Sequence, residues 1–115
     1  MITLDEEKLD TTIAPEVKSE FMTLHNEGVD NLIVSLENVK YSDSSGLSAL
    51  LHGNRLFSDG GSYIICALQE HVEKLIKISQ LDKVMEIVPT TEEAVDRVFM
   101  NVLEKGFQEE GGEEA

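Results

Sequence analysis

A chain of 115 residues, 41% hydrophobic and 28% charged, accommodates one ordinary hydrophobic core and excludes a pair of full-sized domains, a collagenous rod or a wholly disordered chain. Its 23 acidic residues against 9 basic ones set a formal charge of -14, which opposes contact with nucleic-acid phosphates or anionic lipid and directs attention to basic partners. The longest apolar run, Tyr63 to Leu68, is far below the roughly 18 residues of a membrane span. MITLDEEKLD carries acids where a signal peptide needs basic residues and an apolar run, so a cytoplasmic protein without membrane insertion is expected.

Taken in chain order, Pro15 stands in the first turn of a helix running to about Glu27, because Val17, Phe21 and Leu24 recur at helical spacing and Gly28 follows as a stop. NLIVSLENV reads as a strand whose Leu32, Ile33 and Val34 are apolar toward both faces, as a covered central strand requires. Beyond the turn ENVKYSD, Leu47, Leu50 and Leu51 form the apolar stripe of a second helix from Ser44 to about Phe57, which SDGGS ends. SYIICAL is the next strand and holds Cys66, the single cysteine, which excludes an intramolecular disulfide and is expected to be a buried thiol. A helix from about Gln69 to Ser79 turns Val72, Leu75, Ile76 and Ser79 to one side, and KVMEIV is a short strand stopped by Pro89. Thr90 and Glu93 make a capping box for a last helix through Val95, Val98, Phe99 and Val102. The terminal QEEGGEEA, with Glu109, Glu110, Glu113 and Glu114, is too polar to order itself, so 106–115 are expected to be a disordered acidic tail behind a domain of residues 1–105. The alternation predicts an α/β domain, with a mixed, mostly parallel sheet of about four strands packed with about four helices and joined by right-handed crossovers.

The stretch KYSDSSGLSALLHGN carries the most chemistry. A catalytic triad fails there, because His52 lies about 12 Å beyond Ser44 along one helix, and no spacing brings His25 or His71 to the serine with an orienting acid. G-x-S-x-G is absent, since the glycine follows the serines. Asp43, Asp59 and His52 lack metal-ligand spacing, neither glycine-rich phosphate loop occurs, and no cofactor is implied. A helix start capped by Asp43, Ser44 or Ser45 survives, and a hydroxyl in that position also suits a phosphoryl group, whose charge the helix end stabilises. Gly46, Ala49 and Gly53 lay small residues along one helix face, which serves either close packing on the sheet or a docking face.

NLIVSLENVKYSDSSGLSALL resembles the core of STAS domains, specifically the bacterial anti-sigma factor antagonists. DSSGL at Asp43 to Leu47, DGGSYIICAL, VEKLIKISQLDKV, PTTEEAV and the lead-in KLDTTIAPEVK all share in the resemblance, which extends from about Leu4 to Leu103. Family members usually begin with a further strand, paired as a hairpin with the one represented by ITLDEE, and that first strand is expected to be missing. The resemblance implies a binding regulator without catalytic residues. In such a switch the unmodified antagonist holds an anti-sigma factor that is also a serine kinase and so frees a sigma factor; phosphorylation ends the binding and a phosphoserine phosphatase restores it. By position the phosphoacceptor is Ser44, with Ser45 as second choice, and the partner-binding residues are Asp43, Ser44, Ser45, Gly46, Ser48 and Ala49. The alternatives are a STAS interaction module of a transporter complex or stressosome-like scaffold and, third, an enzyme or small-ligand binder.

Overall fold

The computed structural model describes residues 2–58 and 60–114, with side chains described as far as Glu104. Its elements are β1 (Ile2–Thr3), β2 (Lys8–Leu9), α1 (Ala14–Asn26), β3 (Asn31–Ser35), β4 (Tyr41–Ser42), α2 (Ser44–Phe57), β5 (Ser62–Cys66), α3 (Glu70–Ile78), a 3₁₀ turn (Leu81–Lys83), β6 (Glu86–Val88) and α4 (Thr91–Glu114). The main sheet has the order β1-β3-β5-β6, and a two-stranded sheet pairs β2 with β4. Every pairing among the described residues is parallel, including Ile2 with Val34 and Ile33 with Ile64, so the sheet shows no antiparallel member. A helix lies between β1 and β3, between β3 and β5, and between β5 and β6, and each crossover returns the chain to the same end of the sheet.

Local chemistry accounts for the helix boundaries. Asp10 takes the Thr12 hydroxyl at 2.6 Å and the Thr12 N–H at 3.0 Å on its carboxylate, and its carbonyl accepts from Ala14, which sets the chain into α1 with Pro15 in the first turn. The Thr12 hydroxyl holds the Asp10 carboxyl below its usual value. Gly28, at φ 93°, ends α1 in the left-handed conformation that glycine adopts without strain. Thr90 caps α4 by accepting from the Glu93 N–H at 3.1 Å. The β3 strand is shorter than expected: after Ser35 the chain turns, Val39 donating to the Leu36 carbonyl, and both apolar side chains stay buried. Lys83 leaves the last strand for the 3₁₀ turn, and Ser79 is exposed at the end of α3 instead of on its buried side. The α4 backbone continues to Glu114, where composition predicts no regular structure, and the side chains of the acidic tail lie outside those described.

Strand alternation distributes the core over both sheet faces. Leu32, Val34, Tyr63 and Ile65 face Phe21 of α1, Leu47 and Leu50 of α2, and Val72 and Ile76 of α3. Ile33, Ile64, Cys66 and Val88 point the other way, toward Ala94 and Val98 of α4. The row of small residues on α2 is packing, not a docking face. Ala49 is fully buried, and a Cβ on Gly53 would stand 2.6 Å from the Tyr63 hydroxyl and 2.8 Å from the Phe21 ring. That close approach lets Tyr63 donate to the Leu50 carbonyl at 2.8 Å and lets Phe21 meet Tyr63 edge to face at 5.9 Å. Burial pushes the Tyr63 phenol far above its usual acidity range.

Gly53→Val is therefore expected to destabilise the fold by about 1–3 kcal/mol through overpacking, more than the few tenths that valine gains over glycine in a helix. Urea denaturation measures this as a lower midpoint. Burial raises the Cys66 thiol, which also lies 3.8 Å from the Thr91 hydroxyl. The unfolded thiol ionises first, so this contribution to stability is whole below the ordinary thiol value and is lost as pH rises through the native one. A thiol-reactive dye at neutral pH should accordingly label Cys66 only after denaturant is added.

Candidate functional site

The start of α2 is positioned by an element without a strong sequence pattern, the two-residue strand β2, whose Leu9 aligns with Ser42 of β4. The buried Leu9 carbonyl accepts from the Asp43 N–H at 3.3 Å and the Ser42 hydroxyl at 3.1 Å, with the Asp43 carbonyl as a second acceptor for that hydroxyl at 3.2 Å. A Cβ on Gly46 would overlap both the Leu9 carbonyl and the Ser42 hydroxyl, so the first turn of α2 sits against β2 only with glycine there.

Asp43 is the N-cap. Its backbone is extended at φ -114° and ψ -173°, its Oδ1 accepts from the Gly46 N–H at 3.0 Å, and its carbonyl accepts from Leu47. The Thr11 hydroxyl reaches Asp43 Oδ2 at 3.4 Å and lies 3.3 Å from the Ser45 hydroxyl, tying the lead-in of α1 to the lead-in of α2. Thr11 was invisible to local reasoning, because it stands 32 residues from Asp43 in an otherwise ordinary turn.

The six residues expected to form the partner surface separate into two groups. Gly46 and Ala49 are buried, facing β2 and the core, and offer no side chain to a partner. Ser44 and Ser48, one helical turn apart, are exposed, while Asp43 and Ser45 are half-buried beside them. Ser44 occupies the first helical position, and its hydroxyl makes no hydrogen bond among the described residues. Tyr41, 44% exposed, lies just before this surface and stacks on His71 at 5.5 Å and 16°. No local pattern marks that pair, since its members stand thirty residues apart.

The other candidate chemistries do not converge here. His25 packs edge-on against Phe57 at 5.7 Å and His71 lies on Tyr41, and no histidine hydrogen-bonds a serine among the described residues. Among those residues, no group of three or more His, Cys, Asp or Glu side chains is arranged to hold a metal ion, and no helix is long and apolar enough to cross a membrane. Chemically, the site offers a free hydroxyl at the positive end of a helix dipole, with a capping carboxylate next to it.

The family model for the STAS domain matches residues 1–94. An anti-sigma F factor antagonist of Paenibacillus polymyxa is 34% identical over 59 residues, which make up 50% of each protein, so the match spans about half that relative's length. The crystal structure of a Thermotoga maritima protein, provisionally assigned as an anti-sigma factor antagonist, superposes with a TM-score of 0.76 at 26% identity over 84% of this chain and 85% of the other. SpoIIAA, an anti-sigma factor antagonist solved in its unphosphorylated form, shares the fold with a TM-score of 0.60 at 24% identity, over 79% of this chain and 81% of its own.

Replacing the cap tests the geometry. Asp43→Ala should cost about 1 kcal/mol of stability, the usual loss for an N-cap, because the Gly46 N–H and the Thr11 hydroxyl both lose their acceptor. Asp43→Asn, which keeps an acceptor oxygen, should recover most of it in the same urea titration.

Proposed function

The chain belongs to the STAS domain family, and from that premise we propose that it is an anti-sigma factor antagonist switched at Ser44. In its unmodified form the surface of Asp43, Ser44, Ser45 and Ser48 docks an anti-sigma factor that carries serine kinase activity, and the sigma factor is released. Phosphoryl transfer then ends the docking. Ser44 Oγ attacks the γ-phosphorus of ATP, the new Oγ–P bond forms as the P–O bond to ADP breaks, and the hydroxyl proton passes to a base of the kinase. A phosphoserine phosphatase reverses the modification.

The observation that carries this reading is the division of labour at the helix start. Asp43 performs the capping, Ser45 is beside Thr11, and Ser44 alone presents an exposed, unengaged hydroxyl at the first helical position. Adding a phosphate there breaks no hydrogen bond among the described residues, so the fold persists while the surface changes. The added charge of about -1.5 to -2, next to Asp43 in a chain already at -14, repels acids and nucleotide phosphates of the partner. The protein thus acts as a binding regulator and not as an enzyme, in the cytoplasm where transcription is controlled. Its working domain is residues 1–105, followed by the acidic segment 106–115.

Incubation with the cognate kinase and ATP should label the wild-type chain and Ser45→Ala, and leave Ser44→Ala unlabelled by phosphopeptide mass spectrometry. Label that survives Ser44→Ala and disappears in Ser45→Ala would move the site to the second serine. Titration calorimetry should also find Ser44→Asp at least about tenfold weaker than Ser44→Ala for the kinase, a difference of about 1.4 kcal/mol. Equal affinities would refute the electrostatic account. A chain that no kinase modifies, but that assembles with other STAS proteins, would indicate a scaffold role instead.

A further inference from the structure

The helix α4 has two different long faces. Inward, Ala94 and Val98 pack against Ile33, Ile64 and Cys66, and Asn101 donates to the Ser62 hydroxyl at 3.0 Å. Outward, Val95, Phe99, Met100, Val102 and Leu103 are 51%, 63%, 52%, 50% and 41% exposed, which is more than half of the large apolar side chains left open to solvent among the described residues. Val95, Phe99 and Val102 follow the alternating spacing of four and three that places side chains on a single seam of a helix. An apolar stripe of this kind, unused by the protein's own core, marks an interaction surface. It begins at residue 95, immediately beyond the segment matched by the STAS model.

Charge identifies the occupant. The exposed acids Glu92, Glu93, Asp96 and Glu104 border the stripe, and none makes a salt bridge among the described residues. Arg97, the one base among the α4 residues whose side chains are described, is engaged with Glu86 at 3.2 Å. We propose that the outer face of α4 docks a basic amphipathic helix of a protein partner, at a surface separate from Ser44. Leucine-type side chains of such a helix cover Val95, Phe99 and Val102, and its lysines or arginines meet the flanking acids. A second copy of this chain is the poorer occupant, since it brings the same acids onto one another and adds a second charge of -14. Anionic lipid is repelled for the same reason. Because α2 and α4 cover opposite faces of the sheet, this docking is independent of the phosphorylation switch and allows two partners at once.

The probe is a synthetic helix of about 20 residues with leucine at the seam positions and lysine elsewhere, compared by calorimetry with a peptide of identical composition whose leucines are scattered. The full chain should bind the patterned peptide at least about tenfold more tightly than the scattered one. Phe99→Ser combined with Val102→Ser should abolish that preference, Glu92→Lys combined with Asp96→Lys should weaken it with the seam intact, and Ser44→Asp should leave it unchanged. Circular dichroism melts of each variant near the wild-type midpoint establish that the fold is kept; if the serine variant unfolds, the charge-reversed variant decides. Equal binding of the two peptides, or a preference that persists in whichever variant decides, would overturn the proposal. So would a dimer in sedimentation equilibrium that the serine variant dissociates, or flotation with phosphatidylcholine vesicles. None of these results bears on kinase labelling of Ser44, so the two proposals fail separately.

Discussion

The approach of the Leu9 carbonyl to the first turn of α2 is the contact on which the site depends. One backbone oxygen receives the Asp43 N–H and the Ser42 hydroxyl, and the space it occupies is the space a side chain at residue 46 would need. This close contact fixes where the helix starts, and the start decides which hydroxyl does what. Asp43, held extended by the β2–β4 pairing, has its carboxylate directed back to the Gly46 N–H. The next residue therefore enters the helix with nothing to cap. The serine in that place is exposed, with the Gly46 N–H already held by its neighbour.

The main sheet supports this arrangement by burying both faces. Parallel strands need crossovers, crossovers bring helices, and the helices here divide unevenly between the two sides. The face covered by α1, α2 and α3 holds the larger cluster, in which Phe21, Phe57 and Tyr63 pack against one another. Close packing there limits motion of α2, since a shift of that helix would press Gly53 into Tyr63 and Phe21. Among the described residues the opposite face has only α4, which is long enough to satisfy the sheet with one side and leave the other apolar side to solvent.

Electrostatics separates what holds the fold from what faces outward. Most ion pairs among the described residues are exposed, such as Lys40 with Glu7 at 3.6 Å and Lys77 with Glu73 at 3.1 Å, and contacts of this kind contribute little to stability. Stability rests on the apolar clusters and the helix caps. In the proposed switch and docking, the surplus of acids governs association, by raising the cost of adding negative charge near Asp43 and by favouring basic partners along α4.

Much of this was legible in the sequence, because the relevant forces are local. Hydrophobic period placed α1, α2, α3 and β5 close to their observed bounds and β3 at its observed start, and the Thr90–Glu93 spacing marked the start of α4. KYSDSSGL announced a capped helix start for the same reason, since a cap acts over three residues. What the local pattern left open was which of Asp43, Ser44 and Ser45 caps, whether Gly46, Ala49 and Gly53 face inward or outward, and how Thr11 takes part. Those answers depend on contacts between segments more than thirty residues apart in the chain, Leu9 with Ser42 and Thr11 with Asp43, made by strands too short to show a period. Periodicity thus determined the longer elements and the identity of the helix start, and tertiary packing alone decided that Asp43 caps, that the small residues are buried and that the Ser44 hydroxyl is exposed.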